Sequence, residues 1–420
     1  MDVLIERCCG IDVHSDNVVA CMMLKRKKPI IRSFSAMTRD LKSLRDWLGA
    51  EQVTHVAMES TGVYWKPVYN ILEGALNITL ANAREVKNMP GRKTDPEDSH
   101  WIATLLRHGL IRPSFIAPRD IRDLRDLTRY RRKLVQSVSS ERCRVQKILE
   151  DTNIKLTEVV SDLFGVTGQG LLDAILDGEV ITPKDLDRLV KGKLRSKIPE
   201  LAEAINGNLR EHHRFMLRSF LSRLDSLAQQ ITMVERRIAD LVKPYEKQVE
   251  LLDTIPGVDR IVAIGILAEA GADMSVFPSE RHISSWAGVS PGNESSNKKQ
   301  KKNRTVDGNS YLKSILCEAA WAASKTHNTY LSQKYYQMRA RKGGKKALMV
   351  VAHKILISAY HILRDMEPYK ELGSEYLHER FRKQTIRRYA HELEAAGYVV
   401  IRPSRDSGIT NNLDGATDTT

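Results

Sequence analysis

The stretch that decides the fold of this chain is residues 7–24, with the sequence RCCGIDVHSDNVVACMML. Two runs rich in apolar residues, Arg7–Val13 and Val18–Leu24, are separated by the polar residues 14–17, HSDN. Apolar runs joined by a short polar turn are typical of a β-hairpin. Asp12 lies inside the first run, where an acid is costly unless it is paired or binds a metal ion. The stretch therefore predicts a buried hairpin that carries a functional carboxylate.

Strands and helices alternate outward from this hairpin to about residue 117. We predict further strands at Ile30–Phe34, Val53–Glu59 and Asn77–Ala81, and helices at Leu41–Leu48, Gly62–Glu73 and Asp95–His108. The order β-β-β-α-β-α-β-α indicates a mixed sheet flanked by helices, and an RNase H-like sheet has such an order. We expect residues 1–117 to form one α/β domain.

The rest of the chain is predicted to be mostly helical. A basic helix at residues 118–150 is followed by an irregular insert and by a long helix that ends near Val242. In the long helix, apolar residues step by three and four, as in a coiled coil: Leu217, Phe220, Leu224, Leu227, Ile231, Val234, Ile238 and Leu241. Such a seam must bury itself against the basic helix of the same chain or against a second subunit.

These patterns divide the chain after the α/β domain into three segments. Residues 118–245 contain the basic helix, the insert and the coiled coil, residues 246–370 form a mostly α-helical domain, and residues 371–420 form an extension with a disordered end. Residues 254–259, TIPGVD, lie between two helices, where a helix-hairpin-helix-like turn would hold a DNA phosphate. An ordinary turn between two helices explains Gly257 equally well.

The composition favours a nucleic-acid partner. The 420 residues include 66 Lys and Arg against 52 Asp and Glu, which gives a net charge of +14. Such an excess points to an anionic polymer, most simply DNA or RNA. The N-terminus lacks the pattern of a signal peptide, and no apolar run reaches the roughly 18 residues that span a membrane. Five cysteines without zinc-site or CxxC spacing indicate a reduced, cytoplasmic protein.

Four carboxylates are candidate ligands of two Mg²⁺ (or Mn²⁺) ions. Asp12 lies within the first strand, Glu59 closes the fourth strand, and Asp95 and Asp98 open a helix in the sequence KTDPED. Acids on strands and at a helix start can converge at one sheet edge, where two ions would stabilise both oxygens of phosphodiester transfer. For Asp95 and Asp98, capping of the helix N-terminus is an alternative explanation.

A second candidate site lies in residues 286–313, WAGVSPGNESSNKKQKKNRTVDGNSYLK. Ser295 and Ser296 precede a run of cations, and a serine becomes a nucleophile when its proton is removed and cations neutralise the attacked phosphate. The alternative is a flexible basic loop that grips a nucleic-acid backbone, with its serines acting as turn formers.

Cations in three segments are candidate phosphate contacts. They are Arg125, Arg129, Arg132 and Lys133 in the basic helix, Lys298, Lys299, Lys301, Lys302 and Arg304 beside the serines, and Arg341 and Lys345 around a Gly-Gly pair. Clustered Lys and Arg form the electrostatic footprint of nucleic-acid binding. The basic helix also fits a solvated face, because Asp120, Asp123 and Asp126 alternate with its first arginines.

The ordered motifs of residues 5–365 resemble the insertion sequence one-ten family of transposases. The motifs are GIDVHSD, MESTGVYW, KTDPEDS, TIPGVD, WAGVSPGNESS and DGNSYLK. Members of this family are also described as bridge-RNA-guided recombinases, and the pilin-gene invertases are relatives. The resemblance implies a RuvC-like domain with a DEDD metal site, and the matching acids are Asp12, Glu59, Asp95 and Asp98.

The resemblance also implies a catalytic serine that forms a covalent phosphoserine intermediate with DNA. The family pattern after Glu294 selects Ser295, whereas counting from Pro291 and back from Gly308 selects Ser296, which we favour. The implied partners are target and donor double-stranded DNA, a non-coding guide RNA and further copies of the chain, as a dimer or tetramer joined through the coiled coil. The implied location is the cytoplasm of a bacterium or archaeon, at the nucleoid.

Two other functions fit the same residues. A Mg²⁺-dependent, RuvC-like, structure-specific nuclease would use the four acids to activate water, and its serines would be incidental. A non-enzymatic nucleic-acid-binding protein would use the acids for capping and pairing alone.

Overall fold

The computed structural model describes residues 2–60, 62–82, 86, 98–178, 181–291, 295–296, 299–300, 305 and 308–401. The chain forms two compact units, Met1–Ala117 and Pro118–Thr420. A mixed α/β sheet in the first unit and a mostly helical second unit confirm the coarse fold class predicted from the sequence.

The first unit is built on a five-stranded sheet. Its strands are β1 Cys8–Val13, β2 Asn17–Met23, β3 Ile30–Ser35, β4 His55–Glu59 and β5 Asn77–Ala81. The spatial order is β3-β2-β1-β4-β5, in which β3, β2 and β1 pair antiparallel and β1, β4 and β5 pair parallel. The described helices of this unit are α1 Thr38–Ala50, α2 Trp65–Leu72 and α3 Asp98–Arg107.

Side chains of β1 alternate between two buried layers because successive residues of a strand point to opposite faces. Cys9 and Ile11 lie in a core that includes buried residues of α1 and α2. Cys8 lies in a second core that includes Ile102 and Ala103 of α3. Asp12 shares the face of Cys8, so it lies on the α3 side of the sheet.

Gly10 lets α3 rest directly on β1. A Cβ atom at this position would lie 2.2 Å from the Ser99 carbonyl oxygen and 2.3 Å from the Ala103 amide nitrogen. No side chain fits in such a gap, since both obstacles are backbone atoms. Glycine at position 10 therefore sets the distance between the sheet and this helix.

The described part of the second unit is mostly helical and includes one two-stranded ribbon. Its α-helices are α4 Arg119–Asp151, α5 Leu156–Val159, α6 Val166–Asp177, α7 Pro183–Leu189, α8 Ile198–Ala204, α9 Glu211–Val242, α10 Glu246–Asp253, α11 Arg260–Ala270, α12 Glu280–Trp286, α13 Ser310–Lys325, α14 Tyr330–Lys342, α15 Gly344–Asp365 and α16 Glu375–Ala395. The ribbon consists of β6 Ser295–Ser296 and β7 Lys299–Gln300.

The apolar seam of α9 faces α4 of the same chain. Leu217, Leu227, Val234 and Ile238 are buried along it, and α9 packs lengthwise against α4. The insert between these helices has a core of its own, which includes Leu171, Leu186 and Leu201 and continues onto α4 and α9. Of the two partners that the sequence allowed for the seam, the structure shows the intramolecular one.

The apolar helix α15 belongs to the core of the second unit. Among the described residues it is the one helix long and apolar enough to cross a membrane, but half of its most apolar window is buried inside the protein. Ala347, Val351 and Ile355 are fully buried, and α15 packs against α13 and α14. Core helices of soluble proteins have the same composition.

We predict that Gly10→Ala destabilises the protein by about 3 kcal/mol, because the added methyl group forces α3 away from β1. Gly49→Ala is the matched control: a Cβ atom at this position in α1 meets nothing within 4 Å, so a gain of about 0.5–1 kcal/mol is expected. Urea unfolding of both variants measures the difference. Equal stability of the two variants would contradict the close approach.

Candidate active site and nucleic-acid surface

Asp12 and Glu59 are neighbours on adjacent parallel strands. Ile11 of β1 is paired with Met58 of β4, so the next residue on each strand is Asp12 and Glu59. Neighbouring strands lie about 4.8 Å apart, and side chains in register point to the same face. Both acids therefore leave the α3 face of the sheet at the carboxyl end of its parallel strands.

Helix α3 brings a third acid to the same edge. Ser99 and Ala103 lie against Gly10, and the Cys8 Sγ donates to the Ala103 carbonyl oxygen over 3.8 Å. The helix thus runs opposite to β1, and its first turn lies beside the end of the strand where Asp12 is found. Asp98 begins that turn. Asp95, the fourth predicted ligand, lies outside the described residues.

The sequence analysis missed His14 as a member of this site. Its Nε2 atom lies 3.0 Å from Oδ2 of Asp12, whose side chain is 22% exposed. Two residues apart at a strand end, both side chains point to one face, so the spacing DVH was a usable signal. The imidazole gives Asp12 a hydrogen-bonding partner at the rim of the sheet.

The chemistry of this donor set fits a hard divalent cation. Carboxylate oxygens suit Mg²⁺ and Mn²⁺, whereas thiols do not. Burial raises the pKa of the Cys8 and Cys21 thiols below the acids to about 11, so these sulfurs stay protonated and do not compete as ligands. Within the part of the chain that the structure describes, no three His, Cys, Asp or Glu side chains are close enough to hold an ion.

Ser295 and Ser296, the two candidate nucleophiles, lie on a β-ribbon. Ser296 is paired with Lys299, and Ser295 with Gln300, in antiparallel register. Further along, Pro291 and Thr305 form an antiparallel bridge. We call the ribbon of β6 and β7, which carries Ser295 and Ser296, the serine hairpin. Lys298, Lys301, Lys302 and Arg304 lie outside the described residues, and of Lys299 the backbone alone is described.

The residues that flank this segment, 286–288 and 308–309, are in contact with one another in the helical unit. A Cβ atom on Gly308 would lie 2.3 Å from the backbone nitrogen of Gly288, so the outgoing chain touches the incoming chain. The Asn309 amide donates to the Trp286 carbonyl oxygen over 3.1 Å. The Asn309 Oδ1 atom accepts from the amides of Tyr311 and Leu312, each at 3.1 Å, and so caps α13.

A buried ionic cluster lies next to Asn309. Glu269 of α11 is 1% exposed, and both of its carboxylate oxygens are 2.7 Å from the guanidinium of Arg129 on α4. The Asn309 Nδ2 atom donates to the same carboxylate over 2.7 Å. Arg125 donates to the carbonyl oxygens of Ala268 and Glu269 over 2.9 and 3.0 Å. The cluster joins α4, α11 and the start of α13.

Two family models match the chain, one from the first unit through α4 and one within the second unit. Residues 9–154 match the model of DEDD transposases of the IS110 type, and residues 249–337 match the model described as transposase IS116/IS110/IS902 family. Together the two matches cover more than half of the chain. The chain belongs to the IS110 family of transposases.

One curated relative of this IS110-family chain is the pilin gene-inverting protein of Moraxella bovis. It is 26% identical over 182 residues, which cover 38% of this chain and 56% of the relative. The chain therefore spans little more than half the length of that relative. The first family match contains Asp12, Glu59 and Asp98, and the second contains Glu269, Asn309 and the serine hairpin.

In this IS110-family chain, three predicted phosphate contacts have partners inside the protein. Arg129 binds Glu269, Arg125 binds main-chain carbonyls, and Arg132 lies 2.7 Å from Glu318. Burial lowers the pKa of Arg125. Burial also opposes the charge of Arg129, but its hydrogen bonds and attraction to Glu269 leave the pKa raised. The structure thus gives these cations internal roles that the sequence analysis did not foresee.

Lys133, Arg341 and Lys345 are placed differently, because all three are exposed. Lys133 lies on α4 one turn beyond Arg129, and the other two flank the Gly343–Gly344 junction between α14 and α15. Their surroundings are compatible with the predicted contact to nucleic acid.

We predict opposite effects for two matched substitutions on α4. Arg129→Met leaves the buried Glu269 carboxylate without its main partner and lowers stability by about 3–5 kcal/mol. Lys133→Met leaves stability nearly unchanged and weakens DNA binding. It also makes the slope of log K for DNA binding against log salt concentration shallower by about one. Urea unfolding and DNA titration at several salt concentrations measure both. A stable Arg129→Met protein with weakened DNA binding would contradict the internal role.

Proposed function

We propose that this protein is a DNA recombinase that moves its own insertion sequence by cutting and rejoining strands. One observation carries the proposal: Asp12 and Glu59 lie side by side at one edge of the sheet, in a chain that also carries a two-stranded ribbon with Ser295 and Ser296. Membership of the IS110 family of transposases supports it. The strand order β3-β2-β1-β4-β5 supports an RNase H-like, RuvC-like assignment of the first unit.

The proposed reaction proceeds by two transesterifications. The Ser296 hydroxyl, or that of Ser295, attacks the scissile phosphorus, and the bond from phosphorus to the leaving strand breaks as the serine ester forms. The hydroxyl proton leaves with the displaced oxygen through solvent. In the second step a hydroxyl of the new strand attacks the phosphoserine, re-forms a phosphodiester and returns the serine. Bond energy is conserved, so no nucleotide cofactor is consumed.

The four acids would hold the metal in this reaction. Asp12, Glu59, Asp95 and Asp98 provide carboxylate oxygens for Mg²⁺ or Mn²⁺, which when bound would neutralise charge on the attacked phosphate. The His14 side chain, hydrogen-bonded to Asp12, orients that carboxylate. We further propose that the acids of one subunit act with the serine of another, as the family resemblance implies, in a dimer or tetramer.

The proposed division of labour follows the segments of the chain. Residues 1–117 carry the acids, residues 118–245 carry the helix pair of α4 and α9, and residues 246–370 carry the serine hairpin. Lys133, Arg341 and Lys345 offer positive charge to the phosphates of target and donor DNA. Residues 371–420 extend beyond the part that resembles the family.

We expect substitutions to distinguish the role of the serine nucleophile from the role of the acids. With a DNA substrate containing the element junction, the wild type should form a covalent protein–DNA adduct that survives denaturation. Ser296→Ala should abolish the adduct, Ser295→Ala should reduce it less, and Asp12→Asn or chelation of divalent ions should lower its rate by at least about a hundredfold.

The outcomes of this adduct assay distinguish the alternatives. Cleavage without an adduct in the Ser295→Ala, Ser296→Ala double variant would indicate a nuclease that activates water. DNA binding with no cleavage, unchanged by Asp12→Asn and by divalent ions, would indicate a binding protein. Lys42→Met, an exposed substitution on α1, is the control for changes of charge alone.

The proposed guide RNA is tested by purification. We expect the protein, expressed with its flanking DNA, to retain one structured non-coding RNA whose loops match the element junctions and the target. Sequencing of the copurified RNA measures this. A random sample of cellular RNA, from a preparation that still forms the serine adduct, would contradict the guide while leaving the recombinase proposal intact.

A further inference from the structure

Two arginines from different helices share one oxygen atom of a buried carboxylate. Glu141 of α4 is 2% exposed. Its Oε1 atom accepts from Nη1 of Arg144, one turn further along α4, over 2.6 Å, and lies 2.8 Å from Nε of Arg223 on α9. The carboxylate therefore joins the two helices and holds two guanidinium groups side by side. We call these three residues the 141 triad.

The arginines of the 141 triad differ from those that bind Glu269 in their access to solvent. The side chains of Arg144 and Arg223 are 56% and 62% exposed, although the carboxylate between them is buried. Each uses one nitrogen on Glu141, and a guanidinium has five N–H donors in a planar fork. Among the described residues, no partner is found for their remaining donors. These donors are thus available to a ligand at the surface.

The charges of the 141 triad do not cancel. Two guanidinium groups meet one carboxylate, and like charges held a few ångströms apart repel each other. Glu269 uses both of its oxygens to bind its partners, whereas the Oε2 atom of Glu141 is buried without a hydrogen-bond partner in the part of the chain that the structure describes. The triad is therefore an incomplete ion pair, and a second anion beside the arginines would be stabilised.

A cavity of about 290 Å³ lies at the triad. Its lining includes Lys133, Ser137, Ser140 and Arg144, which step by four, three and four along α4 and so share one face of the helix. Arg223 of α9 lines the cavity from the second helix. Three cations and two hydroxyl groups thus surround a space that one carboxylate also borders, which favours an anionic ligand.

The donor geometry favours a phosphate group. Guanidinium forks bind phosphate oxygens through paired hydrogen bonds, and here two forks approach from two helices. Among phosphate ligands, the backbone of a nucleic acid suits a chain with a net charge of +14 that belongs to a transposase family.

We propose that Arg144 and Arg223 form a phosphate clamp on the pair of helices α4 and α9. Both arginines bind one phosphodiester of a nucleic-acid backbone, and Glu141 holds their guanidinium groups in place before binding, so that less side-chain entropy is lost on contact. Lys133 supplies further positive charge at the same cavity. The clamp rests on the proposed function for its nucleic-acid substrate, but it requires neither the serine nucleophile nor a metal ion.

The test replaces the whole triad by methionine. Glu141→Met, Arg144→Met and Arg223→Met together remove two positive charges and one negative charge, and they leave no buried carboxylate without partners. Buried ionic groups can often be replaced by apolar residues of similar volume without loss of stability, so this triple variant should fold, which urea unfolding checks.

Arg142→Met is the matched control. Like the triple variant, it lowers the net charge of the chain by one. Arg142 lies on α4 outside the face that lines the cavity, and its guanidinium carbon is 4.9 Å from the centre of the Phe164 ring. The comparison therefore separates the clamp from the overall charge.

Binding is measured by titration of the full chain at several salt concentrations, with a DNA duplex that carries the element junction and with an RNA of the same sequence. In the triple variant, the dissociation constant for the nucleic acid that occupies the clamp should rise by roughly tenfold or more. The slope of log K against log salt concentration should become shallower by about one, because one phosphate contact is lost. Arg142→Met should stay within about twofold of the wild type. An effect on the duplex alone assigns the clamp to DNA, and an effect on the RNA alone assigns it to RNA.

A second variant tests the geometry of the clamp at constant charge. Arg144→Lys combined with Arg223→Lys keeps two cations beside Glu141, but lysine is a point charge without a planar fork. The dissociation constant should rise by about threefold or more at every salt concentration, while the salt slope stays near the wild-type value. Wild-type affinity in this variant would show that positive charge alone suffices.

The outcomes separate the clamp from the proposed reaction. Equal dissociation constants and salt slopes in the triple variant and Arg142→Met would overturn the inference. So would a triple variant that loses binding to polyglutamate and not to DNA or RNA, because the cavity would then take an acidic polypeptide. If the triple variant does not fold, the lysine variant decides. A wild type that binds through the clamp but forms no serine adduct would refute the proposed function and leave the clamp in place.

Discussion

The buried ion pair of Glu269 and Arg129 is the contact on which the arrangement of α4, α11 and the start of α13 depends. A carboxylate with 1% exposure persists there because two guanidinium nitrogens and one side-chain amide replace its water. Its partners come from α4 and the start of α13, which are distant from α11 in sequence. Because removing Arg129 would leave a buried carboxylate without a compensating charge, the pair holds α4 against α11, and Asn309 joins the start of α13 to them.

A different constraint organises the first unit. Apolar faces cover both sides of the sheet, and Gly10 removes the side chain that would keep α3 away from β1. The helix N-terminus consequently lies at the end of the strand that carries Asp12. Much of this was predictable, because residues 7–24 contain two nearly continuous apolar runs, as strands buried on both faces require, and an acid within such a run has few structural explanations. His14 could also have been predicted, because residues two apart at a strand end share one face of the sheet and His14 lies two residues after Asp12.

The sequence predicted the helices of the second unit better than the roles of their charges. The seam of α9 follows from a local period, so Leu227 and Ile238 could be assigned to a buried stripe. The role of Arg129 could not be predicted, because its partner lies 140 residues away and nothing local distinguishes it from the exposed Lys133 on the next turn. Helix α14 is hard to recognise from the sequence, since Lys, Arg and Tyr interrupt its apolar period.

The same long-range contact fixes the two flanks of the polar, lysine-rich segment between α12 and α13. Left to its own composition, a sequence such as NESSNKKQKKNR would favour solvent over any single conformation. Here Gly288 and Gly308, which flank the segment, are in contact, and Asn309 beside them donates to the buried Glu269 carboxylate. The entropy cost of bringing the two flanks of the segment together is thus met when the helical core folds. Under the proposed function, that cost would not have to be met again when a serine of the segment attacks a phosphodiester.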